Sequence, residues 1–450
     1  MQFELTKKYL GSIKESIKTA DEIKLNSLVS ELHPADIAEI LDEVSMREAK
    51  FLYQLLDEEK AADVLVELEE DVREEFLANL SSKEIAEQFI ENLDSDDAAD
   101  VIAELPDKKQ EEVIAYLEDE EQASDIVELL TYDESTAGSL MTKELIKVNQ
   151  NWIVERCVLE MRKQAEEVDY VFTIYVVDSN DKLLGIVSLK RMLITPVKTT
   201  IADFYKSDVI FVNTNTDLEE VSNIMQKYDL VVLPVVNEEG QLIGRITIDD
   251  VMDVVKEEAD KDYQMASGHS EVVEATDTVW VLSRARLPWL LIGLVGGIFG
   301  AQIIGIYEDQ IKIHPEMAFF IPLIAAMGGN VGVQSSSIIV QGLANKTLGL
   351  DTMLQRLGKE FSVALVNGLV CSLIILGYNF AFGDSWNLSI TVSAALFTVI
   401  IFAGLFGTFT PLVLDKYKID PALATGPFIT TVNDVLGLLM YFMIGRMMYM

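Results

Sequence analysis

The chain has 450 residues, 50% of them hydrophobic and 24% charged, with 74 acids against 35 bases and a formal net charge of −39. That acidity argues against a nucleic-acid binder, which needs a basic face to displace counterions from phosphate. A mean hydropathy of +0.23 is high for so charged a chain, so charge and apolarity are segregated. Residues 284–450 hold nine acids and nine bases, and the first 283 residues carry the whole net charge.

The length is a prior for about three domains. The start, MQFELTKKYLGSIKES, has no apolar core, so no secretory signal peptide is expected and the acidic part is expected in the cytosol. Cys157 and Cys371 are far apart in sequence and suggest no disulfide framework, which fits a reducing compartment. Residues 1–137 are rich in helix formers and poor in glycine. A short pattern recurs there: Ala35-Asp36-Ile37 with Leu41, Ala62-Asp63-Val64 with Leu68, Ala99-Asp100-Val101 with Leu105, and Ser124-Asp125-Ile126 with Leu130. The uneven recurrence predicts helix pairs stacked into a small all-α superhelix. Most of its acids are expected to form a solvated face.

Strand-like runs follow at Val171–Val177, Leu183–Leu189, Val209–Asn213, Leu230–Val236 and Leu242–Ile248, with helical patterns between them. VVDSNDKLLGIVSL at 176–189 aligns with VVNEEGQLIGRITI at 235–248 at a constant offset of 59. Two small α/β modules are predicted, over 138–200 and 201–256, packing their sheets together. The chain turns acidic again from about 251, and a connecting helix is predicted over 257–283.

Five stretches are then long enough to span a bilayer, at about 287–306, 317–344, 361–382, 388–414 and 422–445. With the N-terminal side in the cytosol, Arg284, Arg286, Lys346, Arg356, Lys359, Lys416 and Lys418 face inside, while Lys312 and Arg446 face outside. Five spans place the C-terminus outside. The second span contains Gly328-Gly329-Asn330-Val331-Gly332-Val333-Gln334-Ser335-Ser336-Ser337, and the fifth contains Gly426-Pro427-Phe428-Ile429-Thr430-Thr431-Val432-Asn433-Asp434. Pro322, Pro411, Pro421 and Pro427 can bend helices and free carbonyls, which are tolerated at membrane depth where they line a wet cavity. Asp434 reads as the one ionisable residue well inside any span. A carboxylate there marks a water-filled path, or else a structural carboxyl hydrogen-bonded between helices. Thr430, at i−4, lies on the same helical face, and the polar neighbours Thr431 and Asn433 favour the wet alternative.

TYDESTAGSLMT at 131–142, the paired modules, GGNVGVQSS in span two and DPALATGPFITTVNDVLG at 420–437 together resemble the MgtE-type magnesium channel/transporter family over essentially the whole chain. The resemblance identifies the α/β modules as a cystathionine-β-synthase-type (CBS) pair. It implies a homodimer in a bacterial-type plasma membrane, with one pore on the dimer axis lined by spans two and five, and hydrated Mg²⁺ bound by Asp434. It also implies cytosolic domains that bind Mg²⁺ and hold the pore closed when the ion is abundant. ATP binding by the CBS pair is a property of some members. Here Gly244-Arg245-Ile246-Thr247-Ile248-Asp249-Asp250 keeps acids that could take a ribose, whereas the first module carries Lys190-Arg191 at the matching place.

The physics agrees with that implication. Mg²⁺ prefers octahedral oxygen ligands and sheds water reluctantly, so its pore should hold several waters and touch the ion through few carboxylates and carbonyls. Two copies of Asp434 supply a local charge of −2. Thr430, Thr431 and Asn433 can hydrogen-bond the hydration shell, and Gly329 and Asn330 can line the path from span two. The gate is expected where cytosolic acids meet: Asp96, Asp97 and Asp100 in the N-domain, Asp249, Asp250, Asp253, Glu257 and Glu258 around the second module, and Asp420 before span five. Mg²⁺ would bridge such acids, and its loss would leave them repelling over the roughly 8 Å screening length. An enzyme is not expected. The three histidines, His33, His269 and His314, form no HExxH and lie outside the spans, so neither a zinc protease nor a membrane serine protease fits. The remaining alternative is a CBS-regulated transporter of another divalent cation, Co²⁺ or Mn²⁺.

Overall fold

A computed structural model of the chain describes residues 3–165, 168, 170–275, 277–344, 347–349, 352–382, 385–424 and 426–449. Lys346, counted above among the inward-facing bases, lies outside the described residues. The chain divides into two compact units, Met1–Val255 and Lys256–Met450.

The first unit opens with ten short α-helices among the described residues: α1 (Lys7–Lys18), α2 (Glu22–Val29), α3 (Pro34–Asp42), α4 (Met46–Tyr53), α5 (Glu58–Val66), α6 (Glu70–Ala78), α7 (Ser82–Gln88), α8 (Ser95–Ala103), α9 (Asp107–Ile114) and α10 (Glu120–Leu129). The recurrent sequence pattern falls on α3, α5, α8 and α10. Its apolar members Ile37, Leu41, Ala62, Val64, Ala99, Val101 and Ile126 are buried, which is why the spacing repeats. Local chemistry sets the helix starts. Ser45 with Glu48 and Ser81 with Glu84 form reciprocal capping boxes, and Pro34 occupies the first turn of α3 behind His33.

The two modules repeat one topology: β1 (Lys147–Asn149), α11 (Val154–Gln164), β2 (Ile174–Val177), β3 (Leu183–Val187) and α12 (Leu189–Ile194), then β4 (Val212–Asn213), α13 (Leu218–Tyr228), β5 (Val232–Val236), β6 (Leu242–Thr247) and α14 (Ile248–Ala266). In each three-stranded sheet the first strand is parallel to the second and the third antiparallel to it. The sequence offset of 59 survives in detail, since a register shift occurs at Val176/Val177 and again at Val235/Val236. Val171–Thr173 was expected as strand but is not, because Tyr170 O leaves the ladder to accept from Arg245 Nη1 at 3.3 Å. Thr142 pairs with Arg245 of the second module, and Lys206 pairs with Ile186 of the first, so each sheet is completed by the segment preceding the other. The N-terminal helical core is continuous with the second module through Ala137, Met141, Val221, Leu233, Ile246 and Val251.

In the second unit five helices are long and apolar enough to cross a membrane among the described residues. After α15 (Val279–Ile306) come the short α16 (Glu308–Ile313) and a 3₁₀ segment, Pro315–Phe320. Then follow α17 (Ile321–Ala344), α18 (Met353–Phe382), α19 (Trp386–Lys416) and, after a 3₁₀ turn at Pro421–Ala424, α20 (Pro427–Tyr449). α19 is central and packs on α17, α18 and α20, while α15 rests on α20. Three starts differ most from expectation, the third span's among them, at Met353 rather than about 361. The fifth span begins at Pro427 rather than about 422, because Gly426 takes a left-handed φ of 55° that breaks the chain away from the preceding turn. The first begins at Val279 and runs through Pro288, so Arg284 and Arg286 are helical rather than in a loop.

Glycines bring α17, α19 and α20 into backbone contact. A Cβ on Gly332 would collide with the Asn433 side chain, and one on Gly407 would collide with the Gly332 backbone. Small residues are the main device for close helix approach where lipid removes the hydrophobic drive. Gly332→Leu is therefore expected to lower the unfolding midpoint of the detergent-solubilised protein, by an overpacking cost of about 1–3 kcal/mol. Gly293→Leu, where a Cβ meets nothing within 4 Å, should leave it unchanged. Equal midpoints for both variants would contradict this packing.

Candidate ion path and acidic cluster

Asp434 stands two turns into α20, half-buried, where α20 crosses the glycine face of α17. A Cβ on Gly329 would lie 3.3 Å from Asp434 Oδ1 and 3.0 Å from Thr430 Cγ2. Asp434, Thr430 and Gly329 thus share one surface, as their sequence spacing suggested. Thr430 Oγ1 donates to Gly426 O at 3.0 Å and keeps its acceptor capacity. Beside them α17 presents Asn330, Gln334, Ser337 and Gln341, all exposed. Their spacing of four, three and four residues puts them on one helix face. An exposed polar stripe on a membrane helix cannot be left to hydrocarbon, so it faces water or protein.

Two residues expected at this surface lie elsewhere. Asn433 is 1% exposed and is turned against Gly332, with both amide atoms lacking a hydrogen-bond partner among the described residues. Thr431 points to α15, where its Cγ2 fills the space that a Cβ on Gly296 would need. Both follow from the 100° step between residues, which spreads Thr430, Thr431, Asn433 and Asp434 round three sides of α20. The structure also brings forward a second intramembrane acid. Glu360 lies on α18 and accepts from Ser335 Oγ of α17 at 2.6 Å. Starting the third span at 361 hid it. The stripe at Gln334, Ser337 and Gln341 was legible from its period but was not singled out.

The first unit concentrates acids where α8 meets the second module. Asp96, Asp97 and Asp250 face one another within electrostatic range, and Asp94 and Glu144, neither of them picked out by sequence, join them. Glu144 is anchored by Ser95, whose Oγ donates at 2.8 Å, and by the Thr142 hydroxyl. Carboxylate oxygens of Asp94, Asp96 and Glu144 lie within 4.8 Å of one another. Oxygens about 2.1 Å from a shared Mg²⁺ span about 3–4 Å, so this set fits one octahedral ion with little movement. Asp96 Oδ1 is buried and lacks a hydrogen-bond partner among the described residues, which leaves an acceptor for such an ion.

Burial and the neighbouring carboxylates hold the Asp96 carboxyl well above its usual range. The same causes push Asp97 up to about 7. Burial also raises Asp250, against the opposing Thr247 hydroxyl, which donates to it at 2.5 Å. Asp100 sits at the exposed rim, in electrostatic range of the Arg73–Glu104 ion pair. Asp249 and Asp253 lie within electrostatic range of Asp250 but outside the carboxylate set of Asp94, Asp96 and Glu144. Asp249, Asp253, Glu257 and Glu258 are exposed along α14, with Glu258 3.1 Å from Lys261, and Asp420 caps the turn before α20 by accepting from Ala422 N at 2.8 Å. Helical spacing explains this, because only one side of α14 can face α8. The acids read as a possible ribose ligand are likewise placed. Asp250 faces the N-domain acids, and Asp249 is exposed.

Within unit two, α14 ends against the start of α20. A Cβ on Gly426 would collide with Ala266 O, and one on Gly268 would lie 2.8 Å from Pro427 Cγ.

Raised carboxyl pKa values bind more protons in the packed state than in the opened one. The packing of α8 on the second module is thus favoured below about pH 4 and is lost as pH rises through about 7. In metal-free full-length protein, hydrogen-exchange protection of 95–103 and 248–255, corrected for intrinsic rates, should fall from pH 5.5 to pH 8. Asp97→Asn should flatten that fall. Protection that rises with pH would contradict the cluster.

Known proteins show the same organisation. A family model described as "MgtE: Divalent cation transporter" matches residues 321–444. The MgtE intracellular N domain matches 32–135, and CBS domains match 137–195 and 201–257. A magnesium transporter MgtE of Thermus thermophilus is 32% identical over 451 residues, 99% of each chain. One of Bacillus subtilis is 32% identical over 311 residues, 69% of each chain. The crystal structure of the cytosolic domain of the Mg²⁺ channel MgtE in complex with ATP is 33% identical, with a TM-score of 0.51 over 54% of this chain and 99% of that one. Full-length similarity, both soluble modules and the membrane region all agree, and the chain belongs to the MgtE family of divalent cation transporters.

Proposed function

We propose that this protein is a homodimeric Mg²⁺ channel of the plasma membrane. It admits Mg²⁺ down its electrochemical gradient and is closed when Mg²⁺ fills the acidic cytosolic cluster. The observation that carries the proposal is the exposed stripe of Asn330, Gln334, Ser337 and Gln341 beside Asp434. A second copy applied to that face encloses a polar path on the two-fold axis and removes the stripe from lipid. Two Asp434 carboxylates then match the ion's charge, while carboxamides and hydroxyls hydrogen-bond the waters that Mg²⁺ retains. Thr430 belongs to that surface, whereas Asn433 and Thr431 hold α20 in place from behind. A potential of 100 mV, negative inside, favours entry of a divalent ion by about 4.6 kcal/mol, so no motor is needed.

The orientation with the N-terminal unit in the cytosol and the C-terminus outside rests on the loop bases. Closure follows from the acids. Mg²⁺ bound among Asp94, Asp96 and Glu144 removes the repulsion that opposes packing of α8 on the second module. α14 carries that state to Gly426 and Pro427 at the foot of α20. A coupling of about 1–3 kcal/mol per ion suffices to bias such a gate. A relative's cytosolic domain binds ATP, as its crystal structure states. In this chain Asp250 is committed to Thr247 and the N-domain acids, so regulation by Mg²⁺ is the stronger reading.

Mg²⁺ influx into dye-loaded proteoliposomes under an inside-negative potential tests both parts. Asp434→Asn should reduce influx at least about tenfold, the effect of losing about 1.4 kcal/mol or more of ion stabilisation in the path. Asp97→Asn should shift the Mg²⁺ concentration that closes the channel. Equal influx through wild type and Asp434→Asn would remove Asp434 from the path. Influx of Co²⁺ or Mn²⁺ that Mg²⁺ does not suppress would favour a transporter of the other divalent ion.

A further inference from the structure

Glu360 has no part in the path described above, yet it places a carboxyl inside a membrane-spanning helix. Its surroundings are built for it. Ser335 of α17 is 6% exposed and donates to Glu360 Oε1 at 2.6 Å. On α19, a Cβ at Gly404 would lie 2.9 Å from the same oxygen and 3.3 Å from Ala364 Cβ. A donor on one helix and a missing side chain on another thus frame a single carboxylate oxygen. An acid in a span is costly and persists where it has a role.

The geometry of α17 shows what that role is. Five residues, about 140° round the helix, separate Ser335 from Asn330, so the bond to Glu360 grips α17 on the side away from its polar stripe. α17 packs Ile321, Ile324, Met327 and Val331 into the apolar core, but where it lies closest to α19 and α20 its contacts are glycine surfaces: Gly328 and Gly332 against Asn433, Gly329 against Thr430, and Gly332 against Gly407. Smooth surfaces of this kind permit close approach but resist rotation weakly. One buried polar bond between smooth helices selects a register, as a single asparagine does at a coiled-coil seam.

We propose that Glu360 is a positioning residue that fixes the rotation of α17 through Ser335, so that Asn330, Gln334 and Ser337 face the ion path. This rests on the ion-path reading given above. A rotation by one residue's step would carry Gln334 out of the path and bring Ser336, now buried, toward it.

The test uses full-length protein in proteoliposomes, with Cys157→Ser and Cys371→Ala as background. Gln334→Cys and Ser336→Cys are probed with a small water-soluble cationic thiol reagent. With Glu360 present, Gln334→Cys should be labelled, with block of Mg²⁺ influx, and Ser336→Cys should not. Glu360→Ala should reverse that preference and lower influx at least about tenfold, in keeping with the cost of misplacing a lining helix by about 1 Å. Glu360→Gln, whose amide oxygen still accepts from Ser335, should restore both. Ser335→Ala removes the bond while leaving the acid, and it should reproduce Glu360→Ala even if that variant does not fold. An unchanged labelling pattern in Glu360→Ala or Ser335→Ala would overturn the proposal. So would a Glu360→Gln protein that keeps the pattern but loses influx, because the acid would then act through its charge. Absence of labelling at Gln334→Cys with Glu360 in place would instead overturn the ion path itself, and the positioning role with it.

Discussion

Everything in the membrane unit depends on how closely α17 and α20 approach. Gly328, Gly329 and Gly332 let α20 lie against the α17 backbone, and that approach sets Asp434 beside a helix face of carboxamides and hydroxyls. Hydrocarbon can satisfy neither the carboxyl nor the stripe, so the single chain is chemically incomplete on this face. In the dimer proposed above, a second copy and a thread of water complete it. The same contact explains why Asn433 and Thr431, neighbours of Asp434 in sequence, serve packing. The sides of α20 they occupy are taken by α17 and α15.

The first unit poses the reverse electrostatic problem. Carboxyls that repel one another are held together by an apolar core shared between the N-terminal helices and the second module. Burial would drive several of them to hold protons in the absence of metal. Protons and divalent cations therefore compete for one set of oxygens. The raised carboxyl pKa values favour that packing at low pH, where the carboxyls hold protons. On the reading proposed above, such a cluster responds to cation concentration, and α14, which starts at this cluster, packs its C-terminal end against the foot of α20 without a covalent link.

Much of this was legible in the sequence, for reasons that separate cleanly. Apolar runs identified the spans, the repeated offset of 59 identified the paired modules, and the recurring Ala-Asp pattern marked the helices α3, α5, α8 and α10 that carry buried apolar residues. Asp434 and Thr430 could be paired because a helix puts i and i−4 on one face. What could not be read was which side of each helix meets a neighbour. That is why Asn433 and Thr431 were expected in the path. Asp94 and Glu144 were passed over because nothing local distinguishes them among so many acids. Only the exchange of segments between modules brings Thr142 and Glu144 to Ser95. Glu360 was missed because the third span was started at 361, eight residues after the helix begins at Met353.

The central claim is that the α17 and α20 face of one chain meets its copy across a hydrated path. A single-particle structure of the full-length protein in a lipid nanodisc with Mg²⁺ tests it most directly. The account predicts a two-fold dimer with the two Asp434 carboxylates facing one another across ordered water or ion density, and with Asn330 and Gln334 lining the same path. A dimer joined through α15 or α18, with the polar stripe of α17 turned toward lipid, would contradict it.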